Sequence, residues 1–210
     1  HFDTEHIELE ASPIDVDVLL KLARQFDEPI VDSSMIPMFM VSELVQQHCK
    51  VVLGGDGGDE LFGGYQHYSR LLWMNKYYKF IPLLLRQSVA FISDKTMPLG
   101  MKGKNWIQSL RYDLNTEVPL IANYFNPINR RKLMQGTFPN WQIVAEDILN
   151  SRIPQNMELL QRSTRMDFNN YLTEDILVKV DRASMLNSLE IRAPFLDKNL
   201  IEFAFKKVPS

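Results

Sequence analysis

Apolar side chains recur along this chain mainly at helical spacing, and two short stretches read as strands instead. Residues 6–10 alternate apolar and polar positions, which predicts a strand with Ile7 and Leu9 on one face. Ser12-Pro13 predicts a helix start. Ser caps well, Pro suits the first turn, and Asp15 and Asp17 complement the positive end of the dipole. Its apolar stripe is Val16, Leu19, Leu20, Ala23 and Phe26, and Pro29 stops it. A second helix is predicted from Ser33 or Ser34 to about Cys49, with Met38, Val41, Leu44 and Val45 facing inward. Lys50-Val51-Val52-Leu53 is an apolar run closed by glycines, the pattern of a buried parallel strand.

Beyond Tyr65 the periodicity is helical almost throughout, broken at Pro82, Pro98-Leu99-Gly100, Pro119, Pro127, Gly136 to Pro139, and Pro154. Trp73, Tyr77, Phe80, Trp106, Tyr124, Phe125 and Trp141 read as core, and residues 95–104 as a connecting loop. The fold class that follows is α/β and predominantly helical. Residues 1–65 form a strand-and-helix part, and residues 66–210 a mainly helical part.

Composition narrows the class. A chain of 210 residues, 45% hydrophobic and 23% charged, is ordinary globular material with enough length for a real core. A net charge of −3 and scattered Lys and Arg give no basic stripe for nucleic acid; Arg130, Arg131 and Lys132 make the one short run. Cys49 is the single cysteine, so no disulfide framework or Cys-rich metal site is expected, and the four histidines have no metal spacing. The longest apolar runs fall well short of the roughly 20 residues a membrane helix needs. The first residues, His1-Phe2-Asp3-Thr4-Glu5, do not form a signal peptide and do not begin with Met. The chain therefore reads as cytosolic and as a piece of something longer.

Chemistry concentrates in Leu53-Gly54-Gly55-Asp56-Gly57-Gly58-Asp59-Glu60-Leu61-Phe62-Gly63-Gly64-Tyr65, which holds six of the nine glycines. Glycine costs backbone entropy, so this density needs a reason; one is that a phosphate-sized group must approach the main chain. The loop leaves the carboxyl end of a predicted parallel strand, where open α/β sheets bind ligands. Asp56, Asp59 and Glu60 would repel phosphate unless a divalent cation lies between them, and carboxylate plus phosphate oxygens are the usual Mg²⁺ shell. On local grounds Asp59 also reads as the N-cap of the next helix, with Glu60 as its first-turn acid. Residues 54–62 also fit the pattern of calcium-binding β-helix repeats, but one copy cannot bury its own core.

The segment Gly55-Asp56-Gly57-Gly58-Asp59-Glu60-Leu61-Phe62-Gly63-Gly64-Tyr65 resembles the Gly-Glu-Gly-x-Asp-Glu-x-Phe-Gly-Gly-Tyr segment of asparagine synthetases. Asp181-Arg182-Ala183-Ser184-Met185 followed by Leu189-Glu190-Ile191-Arg192-Ala193-Pro194-Phe195-Leu196-Asp197 resembles that family's second signature, and Glu28-Pro29-Ile30-Val31-Asp32-Ser33-Ser34 matches upstream. The resemblance implies part of an ATP pyrophosphatase domain, of the adenine-nucleotide alpha-hydrolase-like kind, with a parallel sheet flanked by helices. It implies that Gly54, Gly55, Gly57 and Gly58 contact ATP, that Asp59 and Glu60 hold Mg²⁺ on the pyrophosphate, and that Asp56 and Asp181 are catalytic. Asp56 stands where Glu is usual, and Gly54 where Ser is usual. Its partners would be ATP, aspartate or another carboxylate, and ammonia from a glutaminase domain absent here; a homodimer is among the assemblies it allows.

Arg–carboxylate pairs commonly serve structure, so Asp181, Arg182, Glu190 and Arg192 also read as an ion-pair cluster that positions loops. The family's Ser-Gly-Gly-x-Asp-Ser pyrophosphate loop and its catalytic Lys are expected upstream of His1 and downstream of Ser210, so this chain alone is expected to be inactive. The alternative is a non-catalytic binding or assembly domain of the same fold, or a relative acting on another acceptor.

Overall fold

The computed structural model describes residues 5–11, 15–26, 28, 32–98, 100–118, 133–134, 151–152 and 156–208. Its elements run α1 (Val16–Gln25), α2 (Met35–Val45), β1 (Val51–Leu53), α3 (Gly58–Phe62), α4 (Gln66–Tyr78), α5 (Leu83–Thr96) and α6 (Lys104–Ser109). After these come α7 (Leu159–Asp167), a π-helical stretch (Phe168–Ile176), α8 (Leu177–Met185), β2 (Glu190–Arg192), a 3₁₀ turn (Pro194–Leu196) and α9 (Lys198–Lys207). The chain forms two compact units, His1–Gly58 with Tyr171–Glu202, and Asp59–Asn170 with Phe203–Ser210. Residues 171–202 thus return to the first unit, a division that differs from a simple split near residue 65.

In the first unit, α1 and α2 pack on α8 around Leu22, Phe26, Phe39 and Ala183. Leu22 and Phe26 lie four residues apart on one helical face, and burying each contributes about 2 kcal/mol. The predicted α1 stripe is only partly right. Phe26 is buried, but Val16, Leu19, Leu20 and Ala23 are exposed and Leu22 is the buried anchor. Likewise α2 turns Phe39 and Ser42 inward, leaves Val41 exposed, and ends at Val45, short of Cys49. Residues 6–10 form no strand and are exposed, since no neighbouring strand among the described residues pairs with them.

Among the described residues the sheet is one parallel pair, with Val51 opposite Glu190, Val52 opposite Ile191 and Leu53 opposite Arg192. The parallel strand is as predicted, but its burial is not: Val51 is exposed and Leu53 is 75% exposed. Two strands cover neither face, whereas an extensive parallel sheet is covered on both.

The second unit is helical. Leu71, Met74, Tyr78, Leu114, Val118, Leu159 and Met166 form its core, with α4 against α7 and α5 against α6. Tyr68, Leu71, Met74 and Tyr78 make the buried face of α4. Trp73, Tyr77, Phe80 and Trp106, read as core, are instead exposed, Trp73 by 54%. Apolar residues stand on more than one face of α4, Leu72, Trp73 and Tyr77 as well as Leu71, Met74 and Tyr78, so periodicity alone does not choose the face; packing against Leu159 and Met166 of α7 does. Tyr124, Phe125 and Trp141 lie outside the described residues. The loop between α5 and α6 forms where predicted, with Gly100 and Gly103 at φ 83° and 87°.

Candidate functional site

The first unit brings the sequence motifs together. Gly54 follows β1, and its N–H donates to the Arg192 carbonyl at 2.7 Å, so the glycine loop begins as a continuation of the β1–β2 ladder. At Gly57 φ is +89°, and a β-carbon there would overlap Leu196. Gly58 lies against the Phe195 ring. A β-carbon at Gly54 would come within 3.0 Å of Ile191. Thus three of the four loop glycines are fitted to the second motif, residues 189–197. Gly55 differs, because nothing among the described residues lies within 4 Å of a β-carbon built on it.

Hydrogen bonding separates the loop amides further. Gly54 N–H is used by Arg192, and Gly58 N–H donates to the Gly55 carbonyl at 3.2 Å. The amides of Gly55, Asp56 and Gly57 donate no hydrogen bond among the described residues. Successive uncommitted amides in a turn form a concavity that attracts anions.

Asp56 is half-buried within this loop, while Asp181 is exposed on α8. Neither carboxylate makes a hydrogen bond or ion pair among the described residues. The four-residue ion-pair cluster weighed from sequence forms only in part. Arg192 Nε pairs with Glu190 Oε1 at 2.8 Å, and Arg182 donates to the Gln25 carbonyl at 3.2 Å over the Phe26 ring.

The structure adds an ion pair that sequence reading missed. Lys179 Nζ lies 2.7 Å from Asp32 Oδ2, and Asp32 Oδ1 accepts the Ser34 amide at 2.8 Å. Burial alone would raise the Asp32 carboxyl, but hydrogen bonds from Lys179 and Ser34 outweigh it and hold it below its ordinary value. Burial raises the nearby Asp175 carboxyl, helped by the charge of Asp32. Two signals pointed here: Lys179 stands two residues before Asp181, and Asp32 lies within the Glu28–Ser34 motif.

In the second unit the Asp59 and Glu60 side chains part company. Both belong to the first turn of α3, where acids suit the dipole. Helix α3 already begins at Gly58, so Asp59 lies inside the helix and is not its N-cap. Asp59 is exposed, with no hydrogen bond on its carboxylate among the described residues. Glu60 is 1% exposed, and its Oε1 accepts the Tyr65 hydroxyl at 2.5 Å. Burial raises the Glu60 carboxyl and the Tyr65 bond opposes that shift. His67 Nε2 lies 2.7 Å from Asp167 Oδ2, and the Tyr65 ring stacks on His67. A separate cavity of about 450 Å³, lined by Gln87, Phe91, Asp94, Arg111, Tyr112 and Glu117, shares no residue with the glycine loop.

A parallel strand thus runs into a glycine loop whose amides and neighbouring carboxylates are without hydrogen-bond partners among the described residues, at the strand end where α/β proteins carry their ligand loops. The asparagine synthase family model matches residues 1–210, and the chain belongs to that family. Among its relatives, asparagine synthetase (glutamine-hydrolyzing) 1 of Bacillus subtilis is 31% identical over 190 residues, covering 90% of this chain and 29% of the relative. A Mycobacterium bovis protein provisionally named asparagine synthetase (glutamine-hydrolyzing) is 34% identical over 192 residues, with the same coverage of 90% and 29%. A third, from Methanocaldococcus jannaschii and also provisionally so named, is 30% identical over 201 residues, 93% of this chain and 37% of the relative. The chain therefore spans about a third of the length of these relatives. No solved structure matches it. No helix among the described residues is long and apolar enough to cross a membrane.

Proposed function

We propose that this chain is part of the synthetase domain of an ATP-dependent amidotransferase, of the ATP pyrophosphatase fold, that adenylates a carboxylate and amidates it with ammonia. The observation that carries this is the loop of residues 54–58, whose open amides sit at the carboxyl end of a parallel strand and whose glycines fit the second family motif. The names of the relatives make aspartate the first acceptor to test and glutamine the ammonia source, supplied by a domain outside these residues.

In this reading, phosphate oxygens approach the main chain at Gly55, where no side chain intervenes, and the amides of Gly55, Asp56 and Gly57 face them. Oriented amides hold negative charge without reorganising as it develops. The donor chemistry fits Mg²⁺: Asp59 offers an exposed hard oxygen. No three His, Cys, Asp or Glu side chains form a metal cage among the described residues, so phosphate oxygens would fill the shell. Asp59 is the exposed ligand and Glu60 adds negative charge behind it. Mg²⁺, when bound, offsets the charge of departing pyrophosphate. Asp56 and Asp181, both without partners among the described residues, orient the reacting groups, Asp56 from the loop itself.

The deciding experiment supplies aspartate labelled with ¹⁸O in its side-chain carboxylate to the intact protein, with ATP, Mg²⁺ and ammonia. Transfer of one ¹⁸O to AMP, with pyrophosphate formed, is the expected result. Label in inorganic phosphate with ADP formed would replace adenylation by phosphorylation. AMP formation without dependence on aspartate would point to another acceptor, and no nucleotide turnover to a binding domain.

A further inference from the structure

The turn after α3 contains three features that the glycine-loop reading leaves unused. First, Gly63 adopts φ +70°, a left-handed conformation that turns the chain sharply after Phe62. Second, Gly64 lies directly beneath Asp59: its N–H donates to the Asp59 carbonyl at 3.0 Å, and a β-carbon on it would overlap Asp59 Oδ1. Gly64 has no positive φ, so its need for glycine comes from clearance under the carboxylate and not from backbone geometry. Third, the Tyr65 hydroxyl reaches back five residues to donate to Glu60 Oε1 at 2.5 Å.

Glu60 is the residue after Asp59 and is almost wholly buried. Tying its carboxylate to Tyr65 fixes the rotation of α3 about its axis, and with it the direction in which Asp59 projects. Tyr65 is itself held, since its ring stacks on His67 at 5.2 Å between centroids, and His67 is anchored to Asp167 of α7 at 2.7 Å. The chain from Asp59 to His67 is therefore closed upon itself at three points. At its head, the Asp59 carboxylate is exposed and without a hydrogen-bond partner among the described residues.

We propose that Gly64 and Tyr65 are positioning residues for the Asp59 carboxylate. Gly64 leaves the room in which that carboxylate lies. Tyr65, through Glu60, locks the short helix that carries it. The proposal rests on the reading of Asp59 as a magnesium ligand. It gives the Asp-Glu-x-x-Gly-Gly-Tyr segment a single physical purpose, presentation of one oxygen ligand at a fixed place. Groups that orient a metal ligand without touching the metal typically carry roughly a tenfold effect on metal affinity.

The test uses the intact protein with ATP and Mn²⁺ as a paramagnetic substitute, free Mn²⁺ being read by electron paramagnetic resonance. Tyr65→Phe removes only the hydroxyl, and Gly64→Ala adds only a methyl group beneath Asp59. Each is expected to raise the Mn²⁺ dissociation constant by about tenfold. Each should also raise the Mg²⁺ needed for half-maximal ATP–pyrophosphate exchange by a similar factor, with the maximal rate restored at high Mg²⁺. A residue with a merely structural role would lower the rate at every Mg²⁺ concentration and leave Mn²⁺ affinity alone. Asp59→Asn is the control. If it weakens Mn²⁺ binding and the two variants do not, the positioning proposal fails alone. If Asp59→Asn binds Mn²⁺ like the wild type, the reading of Asp59 fails and takes the proposal with it. Should Tyr65→Phe not fold, Gly64→Ala decides, and wild-type Mn²⁺ affinity in that variant overturns the proposal.

Discussion

In the second unit, buried cations are spent on the chain's own carbonyls. Arg86 donates to the carbonyls of Ile81, Leu110 and Tyr112, Arg162 to those of Met157 and Leu114, and Lys104 to that of Met97. In the first unit, Asp56 and Asp181 spend their carboxylates on nothing among the described residues, and three successive loop amides are also open. Both units hold charged residues next to broken helices. The difference lies in where the hydrogen bonds go. Helix ends leave carbonyls without partners, and a long cation that fills them is architecture. A charge with no internal partner beside an open amide turn is available to a ligand. Under the proposed function, hydrogen-bond partners separate supporting charges from reacting ones where residue type alone does not.

The comparison breaks most visibly at Arg162. It is 2% exposed, and Arg162→Ala would leave the Leu114 and Met157 carbonyls without their donor and open a cavity between them. The expected loss is about 4 kcal/mol of stability, seen as an early melting transition with ligand-binding residues untouched. A melt within about 1 kcal/mol of wild type would mean that water satisfies those carbonyls as well as the guanidinium does.

Asp59→Asn tests the opposite case, a charge with no structural employment. ATP–pyrophosphate exchange in the intact protein is expected to fall about a hundredfold, equivalent to about 2.7 kcal/mol, with the melting temperature unchanged. An amide keeps the shape but loses the full negative charge. Near-normal exchange would mean that the carboxylate serves only the positive end of α3, where an amide loses little.

How much of this was legible follows the range of each interaction. The glycine loop, β1 and the helical spacing after Tyr65 are local patterns, and each appears among the described residues where it was expected. The inward face of α4 was not legible, because Leu72, Trp73 and Tyr77 are as apolar as Leu71, Met74 and Tyr78, and the choice belongs to α7. The Lys179–Asp32 pair spans 147 positions, beyond any periodicity. The Glu60–Tyr65 bond spans only five, but it depends on a turn made by Gly63 that residue order alone does not specify. Glycines were legible as a cluster and ambiguous as individuals. Within the cluster, Gly57 answers to Leu196, Gly64 to Asp59, and Gly55 alone meets no atom of the described residues.

That division of labour gives a smaller effect. Gly57→Ala would strain a φ of +89° and press a methyl group on Leu196. A destabilisation of about 2 kcal/mol is expected. Gly55→Ala meets no atom of the described residues and should leave the melt within about 0.5 kcal/mol of wild type while weakening ATP binding. Equal melts for the two variants would show that the loop glycines are interchangeable.

The smallest signal is one of slope, and it belongs to the first unit. Hydrogen bonds from Lys179 and Ser34 depress the folded Asp32 carboxyl below its ordinary value of 3.8 despite the opposing effect of burial. A carboxyl depressed on folding stabilises the folded state above its unfolded pKa, and that contribution disappears as pH falls through the folded pKa. The relevant window therefore lies below pH 3.8. The Lys179 and Asp32 side chains retain 11% and 19% exposure, so solvent screens part of the attraction and the contribution is modest. Asp32→Asn matches the shape of the protonated acid and does not titrate in this range. At neutral pH the variant should melt below the wild type, because Lys179 keeps a dipole where it had a charge. As pH drops below 3.8 the two curves should converge, since wild-type Asp32 then becomes neutral as well. Melting temperatures measured from pH 7 to pH 2.5 in closely spaced steps would show this as a gap that narrows only at the acid end. A gap constant across the whole range would mean that Asp32 contributes through packing or its bond to the Ser34 amide, and that its charge does not stabilise the first unit.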